Sequence, residues 1–337
     1  MKNLNNKKFY IIVISFVVVI CLLAGLLVYK GINKDSSSIE EHSEEYLYYN
    51  QRFYLELIEK ENDKYYIITR IKSDHENDNE IVVPDTIDNI PVRKLVSYAS
   101  AGPNIVSDFG NFYSWRNISK IKIGKNIEYI GTEKNNEGIL KGGTLGDNFL
   151  RYDSKTVAIE VDENNLVYAS KNGILFNKDF TILIKYPNNK VEDYSTFVYE
   201  IPETVNKIYN YAFYRNAKIK TLKLNQNLKE IGNYAFYQCT NLSFIYFNNC
   251  LESIGHLAFR ECSLNSINLP DSLVSLGNSV FYKNATLQSA KIAGKIQNIG
   301  ENIFDECSND FSILTTESNL EYYKNIINFK NYTIQSE

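Results

Sequence analysis

A nine-residue motif recurs five times at a nearly fixed step. Its copies are IYNYAFYRN (208–216), IGNYAFYQC (231–239), IGHLAFREC (254–262), LGNSVFYKN (276–284) and IGENIFDEC (299–307). The aromatic falls at Phe213, Phe236, Phe259, Phe281 and Phe304, so the steps are 23, 23, 22 and 23 residues. A unit that short cannot bury its apolar side alone. Stacked on copies of itself it buries a continuous column, so the spacing predicts a solenoid.

A second pattern lies between the motifs. Ile219, Leu222 and Leu224 are followed by Leu242, Ile245 and Phe247, then by Ile267 and Leu269, then by Leu287 and Ile292. Pairs two residues apart fit a short strand with one buried face. Stacking would pair these strands into a parallel sheet along one surface, spaced ~4.8 Å. The alternation turns Thr221, Lys223, Phe244, Tyr246, Ser266, Asn268, Ser289 and Lys291 outward. The A-F-x-x-C piece is expected to form a tight turn into a helical turn, with Ala and Phe inward. Gly232, Gly255, Gly277 and Gly300 are expected to permit that turn.

The segments IGNYAFYQCTNLSFIYF and INLPDSLVSLGNSVF resemble the BspA-type leucine-rich repeats of bacterial and some protist surface proteins. VDENNLVYASKNGILFNKDFTILIKYP (161–187) resembles the insert that interrupts such repeats, and IVVPDTIDNIPVRKLVSYA (81–99) resembles their opening repeat. ISKIKIGKNIEYIG (118–131) is one more degenerate unit. The resemblance implies a leucine-rich repeat solenoid, β-rich, with short strands and helical turns. It also implies a binding role: adhesion to proteins of a host or neighbouring cell, or to surface glycans.

Residues 9–29, FYIIVISFVVVICLLAGLLVY, carry no charge. Roughly 20 apolar residues suffice to span a bilayer as a helix. One N-terminal transmembrane helix is therefore expected ahead of the solenoid. Lys2, Lys7 and Lys8 precede it, so the N-terminus should stay cytoplasmic and the repeats should face outward. Cleavage of the segment as a signal peptide, with secretion, is the alternative.

The expected organisation is a cytoplasmic stub and signal-anchor at 1–30, a polar tether at 31–45, and an N-terminal β-hairpin cap at 46–80. Degenerate repeats with inserts at 100–117 and 132–150 would fill 81–200. Five regular repeats of 22–23 residues would fill 201–310, and a C-terminal cap 311–337.

Chemistry-bearing residues are sparse. The histidines are His42, His75 and His256, with no two at catalytic or metal-ligand spacing. Cys239, Cys262 and Cys307 share one repeat position with Asn216 and Asn284. A small polar group satisfying buried loop backbone explains that exchange better than a disulfide. His256 takes the third motif position, beside Asn210, Asn233 and Asn278, where an exposed polar residue is expected. KGGTLG (141–146) lacks the order of a phosphate loop. A net charge of −4 gives no basic excess, which argues against nucleic acid as a partner.

The expectation is therefore a non-enzyme without metal or small-molecule cofactor. It would bind a protein or glycan on the extracellular side and meet the membrane through residues 9–29. Lys223, Phe244, Tyr246, Asn268 and Lys291 are the candidate ligand-binding residues on the sheet face. The alternative function is a structural or regulatory envelope protein contacting a partner in the same membrane.

Overall fold

The computed structural model describes residues 42–99, 115–134, 150, 155–190 and 198–336. The chain divides after Ser43, and the second unit, Glu44–Glu337, is compact. The apolar run 9–29, most of the tether, and residues 100–114 and 135–149 of the two inserts lie outside the described residues. Among the described residues no helix is long and apolar enough to cross a membrane.

The second unit opens with α1 (Glu44–Arg52) and a hairpin, β1 (Phe53–Lys60) antiparallel to β2 (Asp63–Ile71). Three strands follow: β3 (Glu80–Val83), β4 (Thr86–Ile87) and β5 (Ile90–Ala99). The degenerate unit at 118–131 supplies β6 (Lys120–Ile123) and β7 (Tyr129–Lys134). β6 lies parallel between β3 and β8 (Ala158–Val161), so Ile81, Ile121 and Ile159 stack on one another, all buried. β5 pairs in parallel with both β2 and β7. Trp115, at the end of the first insert, is fully buried and stacks on Phe53 at 6.3 Å.

β9 (Tyr168–Lys171), β10 (Ile174–Asn177) and β11 (Ile182–Lys185) form an antiparallel meander at the stretch resembling the repeat-interrupting insert. β11 then pairs in parallel with β13 (Lys207–Ile208) and starts a ladder. That ladder continues through β15 (Glu230–Ile231), β17 (Ser253–Ile254), β19 (Ser275–Leu276) and β21 (Asn298–Ile299).

The outward-facing strands expected from the alternation form a different set of sheets. One holds β12 (Val198–Glu200), β14 (Thr221–Lys223) and β16 (Phe244–Tyr246). The other holds β18 (Ser266–Leu269), β20 (Ser289–Ile292), β22 (Ser312–Thr315) and β23 (Thr333–Ser336). The result is a β-solenoid of about ten turns.

Three expectations change. The solenoid carries parallel ladders on two faces, because the residue pair ending at each motif's first Ile or Leu is itself a two-residue strand. The A-F-x-x-C piece forms successive turns, not a turn of helix. Its fourth and eighth motif positions are left-handed without being glycine, as at Tyr234 (φ 56°) and Gln238 (φ 55°). That geometry lets alternate amides reach the next rung: Tyr234 N donates to His256 O, Phe236 N to Ala258 O and Gln238 N to Arg260 O, at 2.9, 2.8 and 2.8 Å. The repeated glycines have a different purpose from the one expected. Gly232, Gly255, Gly277 and Gly300 do not take positive φ. A Cβ at Gly232 would instead sit 2.7 Å from Asn210 N and 2.8 Å from Tyr209 C of the preceding rung. Close stacking, not turn geometry, excludes a side chain there.

The core is a column. Phe213, Phe236, Phe259, Phe281 and Phe304 stack with centroids 4.7, 5.0, 5.5 and 5.5 Å apart and ring planes within 15°. Leu222, Ile245, Ile267, Ala290 and Ile313 line the opposite wall, one per rung and all buried. Tyr323 and Phe329 close that core beyond the last motif, with α2 (Glu317–Lys324) contributing Tyr323.

Candidate functional site

The alternation along each short strand sends one set of side chains to the core and the other to the surface. Lys223 and Asn268 are exposed, Lys291 is half-buried, and Phe244 and Tyr246 are 48% and 60% exposed. All five candidate residues therefore stand on the outward face of the strands. The structure does not gather them into one cluster. Lys223 is the direct neighbour of Tyr246, and Thr221 of Phe244. Lys291 is the neighbour of Asn268, with β18 between it and the aromatic pair. The Lys223 ammonium is bound to Glu200 Oε1 at 2.9 Å, which raises its pKa through that hydrogen bond. Both partners are exposed, so the pair contributes little stability, but Lys223 is not an unopposed cation.

Phe244 and Tyr246 differ from most other aromatic residues of the repeats. Tyr211 stacks on Tyr234 at 4.9 Å, and Tyr214 on Tyr237 at 5.0 Å. Neither Phe244 nor Tyr246 lies against another ring, and the Tyr246 hydroxyl has no hydrogen-bond partner among the described residues. The parallel ladder runs from β12 to β16 and is not continued into β18. One residue is missing at this point: Leu242 follows Cys239 by three positions, whereas Leu264 follows Cys262 by two.

Sequence reasoning missed the neighbours that extend this surface. Val198 and Glu200 of β12 are exposed and continue the columns of Phe244 and Tyr246. Ser312 of β22 and Thr333 of β23 continue the column of Ser266 and Ser289. The signal for β22 was present: Ile313 follows Ala290 by the repeat step of 23.

The shared Cys/Asn position performs a structural task. Cys239, Cys262 and Cys307 donate from Sγ to the carbonyls of Phe213, Phe236 and Phe281 at 3.1, 3.2 and 3.3 Å. Asn284 makes the equivalent bond to Phe259 O at 2.8 Å. The thiols are free, not bridged. Burial pushes the Cys262 thiol well above its ordinary pKa and that of Cys307 up to about 12. The thiolate is the reactive form. Iodoacetamide applied to the folded protein near neutral pH should therefore modify exposed Cys250 and spare Cys239, Cys262 and Cys307 until the chain unfolds. Peptide mass mapping before and after denaturation checks this, and rapid labelling of Cys262 in the folded state would contradict the buried ladder.

His256 is exposed, as expected, but it also joins rungs. Asn210 Oδ1 accepts from Asn233 N at 2.8 Å, and Asn233 Oδ1 accepts from His256 N at 2.8 Å. His256 Nδ1 then accepts from Asn278 N at 2.8 Å, and Asn278 Oδ1 from Glu301 N at 3.0 Å. The imidazole replaces an asparagine oxygen as acceptor, which places its proton on Nε2.

A cleft of about 510 Å³ lies between α1 and the ends of β3, β6 and β8, with Tyr49, Val82, Asp85, Lys122 and Asp162 in its wall. Four carboxylates (Glu45, Asp85, Glu160 and Asp162) and one cation, Lys122, line it; Lys122 binds Glu80 at 2.8 Å, and Asp85 Oδ1 accepts from Lys125 N at 2.6 Å. Among the described residues no three His, Cys, Asp or Glu side chains converge as a metal site would require.

The model of the BspA type leucine rich repeat region matches residues 193–256 and 230–336, in six copies. These residues belong to the BspA-type leucine-rich repeat family. No curated protein matches the chain. Among solved structures, the chain is similar to the pneumococcal vaccine antigen PcpA at 18% identity, covering 84% of this chain and 98% of that one, with a TM-score of 0.46. It is similar to a leucine rich cell surface protein from Faecalibacterium prausnitzii A2-165 at 14% identity, covering 78% and 93%, with a TM-score of 0.42. A leucine-rich repeat protein from Bacteroides ovatus ATCC 8483 is similar at 19% identity, covering 78% and 70%, with a TM-score of 0.35. In BspA-type terms, β14, β16, β18 and β20 belong to successive repeats, and the aromatic pair stands on the outward side of one of them.

Proposed function

We propose that this protein is a non-catalytic recognition scaffold. In this reading residues 9–29 anchor it in the plasma membrane, the repeats face outward, and the outward face of the strands binds a protein or glycan on the extracellular side. Adhesion to another surface is the role that suits such an arrangement. The observation that carries the proposal is the pair Phe244 and Tyr246, exposed by about half and without ring partners on a rigid sheet. Exposed aromatic side chains with a polar surround supply much of the binding energy at macromolecular interfaces.

The test uses full-length protein carrying Phe244→Ala and Tyr246→Ala. Stability should change by no more than about 0.5 kcal/mol, as for surface positions. Retention of partners from whole cells and from host matrix should fall by about tenfold or more, as for loss of a hot spot. Unchanged retention would remove the sheet face from consideration. Partners confined to the cell's own envelope would favour the structural role over adhesion.

A further inference from the structure

We propose that the sheet face binds an extended, uncharged, β-linked polysaccharide lying across the strands. This rests on the reading above of the same face as the recognition surface, and it names the ligand class.

The first observation is a column of hydroxyls. Ser266, Ser289, Ser312 and Thr333 are direct neighbours on β18, β20, β22 and β23. None of these four hydroxyls has a hydrogen-bond partner among the described residues. Several hydroxyls elsewhere on the solenoid are spent on the backbone. Ser263 donates to Thr240 O at 2.6 Å, Ser272 to Leu251 O at 2.8 Å, Thr286 to Leu264 O at 2.8 Å and Thr315 to Ile292 O at 2.7 Å. The outward column is a line of four aligned hydroxyls left available to a ligand.

The second observation is charge. Among the outward residues of β18, β20, β22 and β23, Lys291 is the one ionised side chain. The β3–β6–β8 sheet, by contrast, carries Glu80, Lys120, Lys122 and Glu160. An acidic or basic polymer would find little to pair with on the hydroxyl-bearing sheet. A neutral polyhydroxylated one would find donors and acceptors.

The third is spacing. Neighbouring strands repeat every ~4.8 Å, a step comparable to one sugar of an extended β-linked chain. A polymer crossing the strands would meet one new hydroxyl per sugar. A peptide crossing the same way has no such matched repeat. Beyond β18, Phe244 and Tyr246 offer two unstacked rings. Sugar rings present flat C–H faces, and aromatic faces pack on apolar surface while their surround stays polar.

The experiment is calorimetric titration of the full chain, held in a detergent without a sugar headgroup, with cellohexaose and xylohexaose. Maltohexaose serves as the curved, α-linked control. At least one β-linked hexasaccharide should bind about tenfold more tightly than its disaccharide and than maltohexaose. Phe244→Ala or Tyr246→Ala should weaken it by about tenfold, and Tyr246→Phe should not. Ser289→Ala and Ser312→Ala, which delete the hydroxyl alone, should weaken the hexasaccharide severalfold and leave the disaccharide unchanged. Failure of both hexasaccharides to bind at millimolar concentration, or binding unaffected by the aromatic and serine variants, overturns the proposal. If the sugars fail while the aromatic variants still abolish retention of a protein partner, the glycan inference falls and the recognition reading stands. If the variants change neither, both fall.

Discussion

Phe236→Ala should lower the free energy of unfolding by about 3–5 kcal/mol, the range for deleting a fully buried aromatic side chain. The upper part of that range is expected here for a geometric reason. Phe236 has no exposed surface and lies between Phe213 at 4.7 Å and Phe259 at 5.0 Å. A cavity costs least where its walls can collapse. These walls cannot close along the stack, because rung spacing is held by backbone bonds on both sides, Phe213 N to Ala235 O and Phe236 N to Ala258 O, each at 2.8 Å. Phe236→Leu, which restores most of the volume, should cost no more than about 1.5 kcal/mol. Urea unfolding of the full chain followed by far-UV circular dichroism measures both. A nearest-neighbour stack predicts a further effect: with the central contact weakened, the segments on either side should uncouple and the transition broaden. A loss of about 1 kcal/mol or less for the alanine variant would mean that Phe236 is not an element of a continuous column.

The column was legible in the sequence because one large residue recurs at a fixed step, and only stacking satisfies such a repeat. The outward face was legible for a similar reason. An alternation of two leaves two registers, and the buried Leu222, Ile245 and Ile267 select one. Other features were hidden by their physical nature. The second ladder rests on two residues per rung, as at Ser253–Ile254, which is too short to show an alternation. The left-handed backbone at Tyr211, Tyr234 and Leu257 has no glycine to announce it. The backbone there is held by bonds to the next rung, which a linear reading does not display. The break in pairing between β16 and β18 coincides with a single absent residue, visible as one step of 22 among steps of 23, but its location beside the aromatic pair emerges only once strands are paired. The candidate residues were separable into outward and inward by pattern. Which of them adjoin one another was not. Lys223 sits against Tyr246 and Lys291 does not, because adjacency across rungs depends on register and on where the ladder is interrupted.

Gly255→Ala should destabilise the protein, although alanine is usually the better residue when the backbone conformation suits it. At a compatible position, Gly→Ala stabilises by about 0.4–1 kcal/mol through the unfolded chain. Gly255 does not take positive φ, so conformation alone predicts a gain. Contact decides the opposite. A Cβ there would lie 2.5 Å from Asn233 Oδ1, 2.6 Å from Asn233 N and 2.7 Å from Gly232 C. Two of those atoms are backbone and cannot rotate away. The third accepts the His256 N–H at 2.8 Å, so displacing it breaks a bond between rungs. Relief requires the two rungs to part, which also strains the bond from Gly255 N to Ile231 O at 2.8 Å. Overpacking of this kind costs about 1–3 kcal/mol, enough to outweigh the entropic gain. Amide hydrogen exchange separates this cause from a general loss of stability. Protection should drop first at Gly255 and His256, next to the substitution, and remain high at the Phe281 and Lys283 amides, which bond to the rung beyond. A variant at least as stable as the parent would show that the rungs tolerate a methyl group between them.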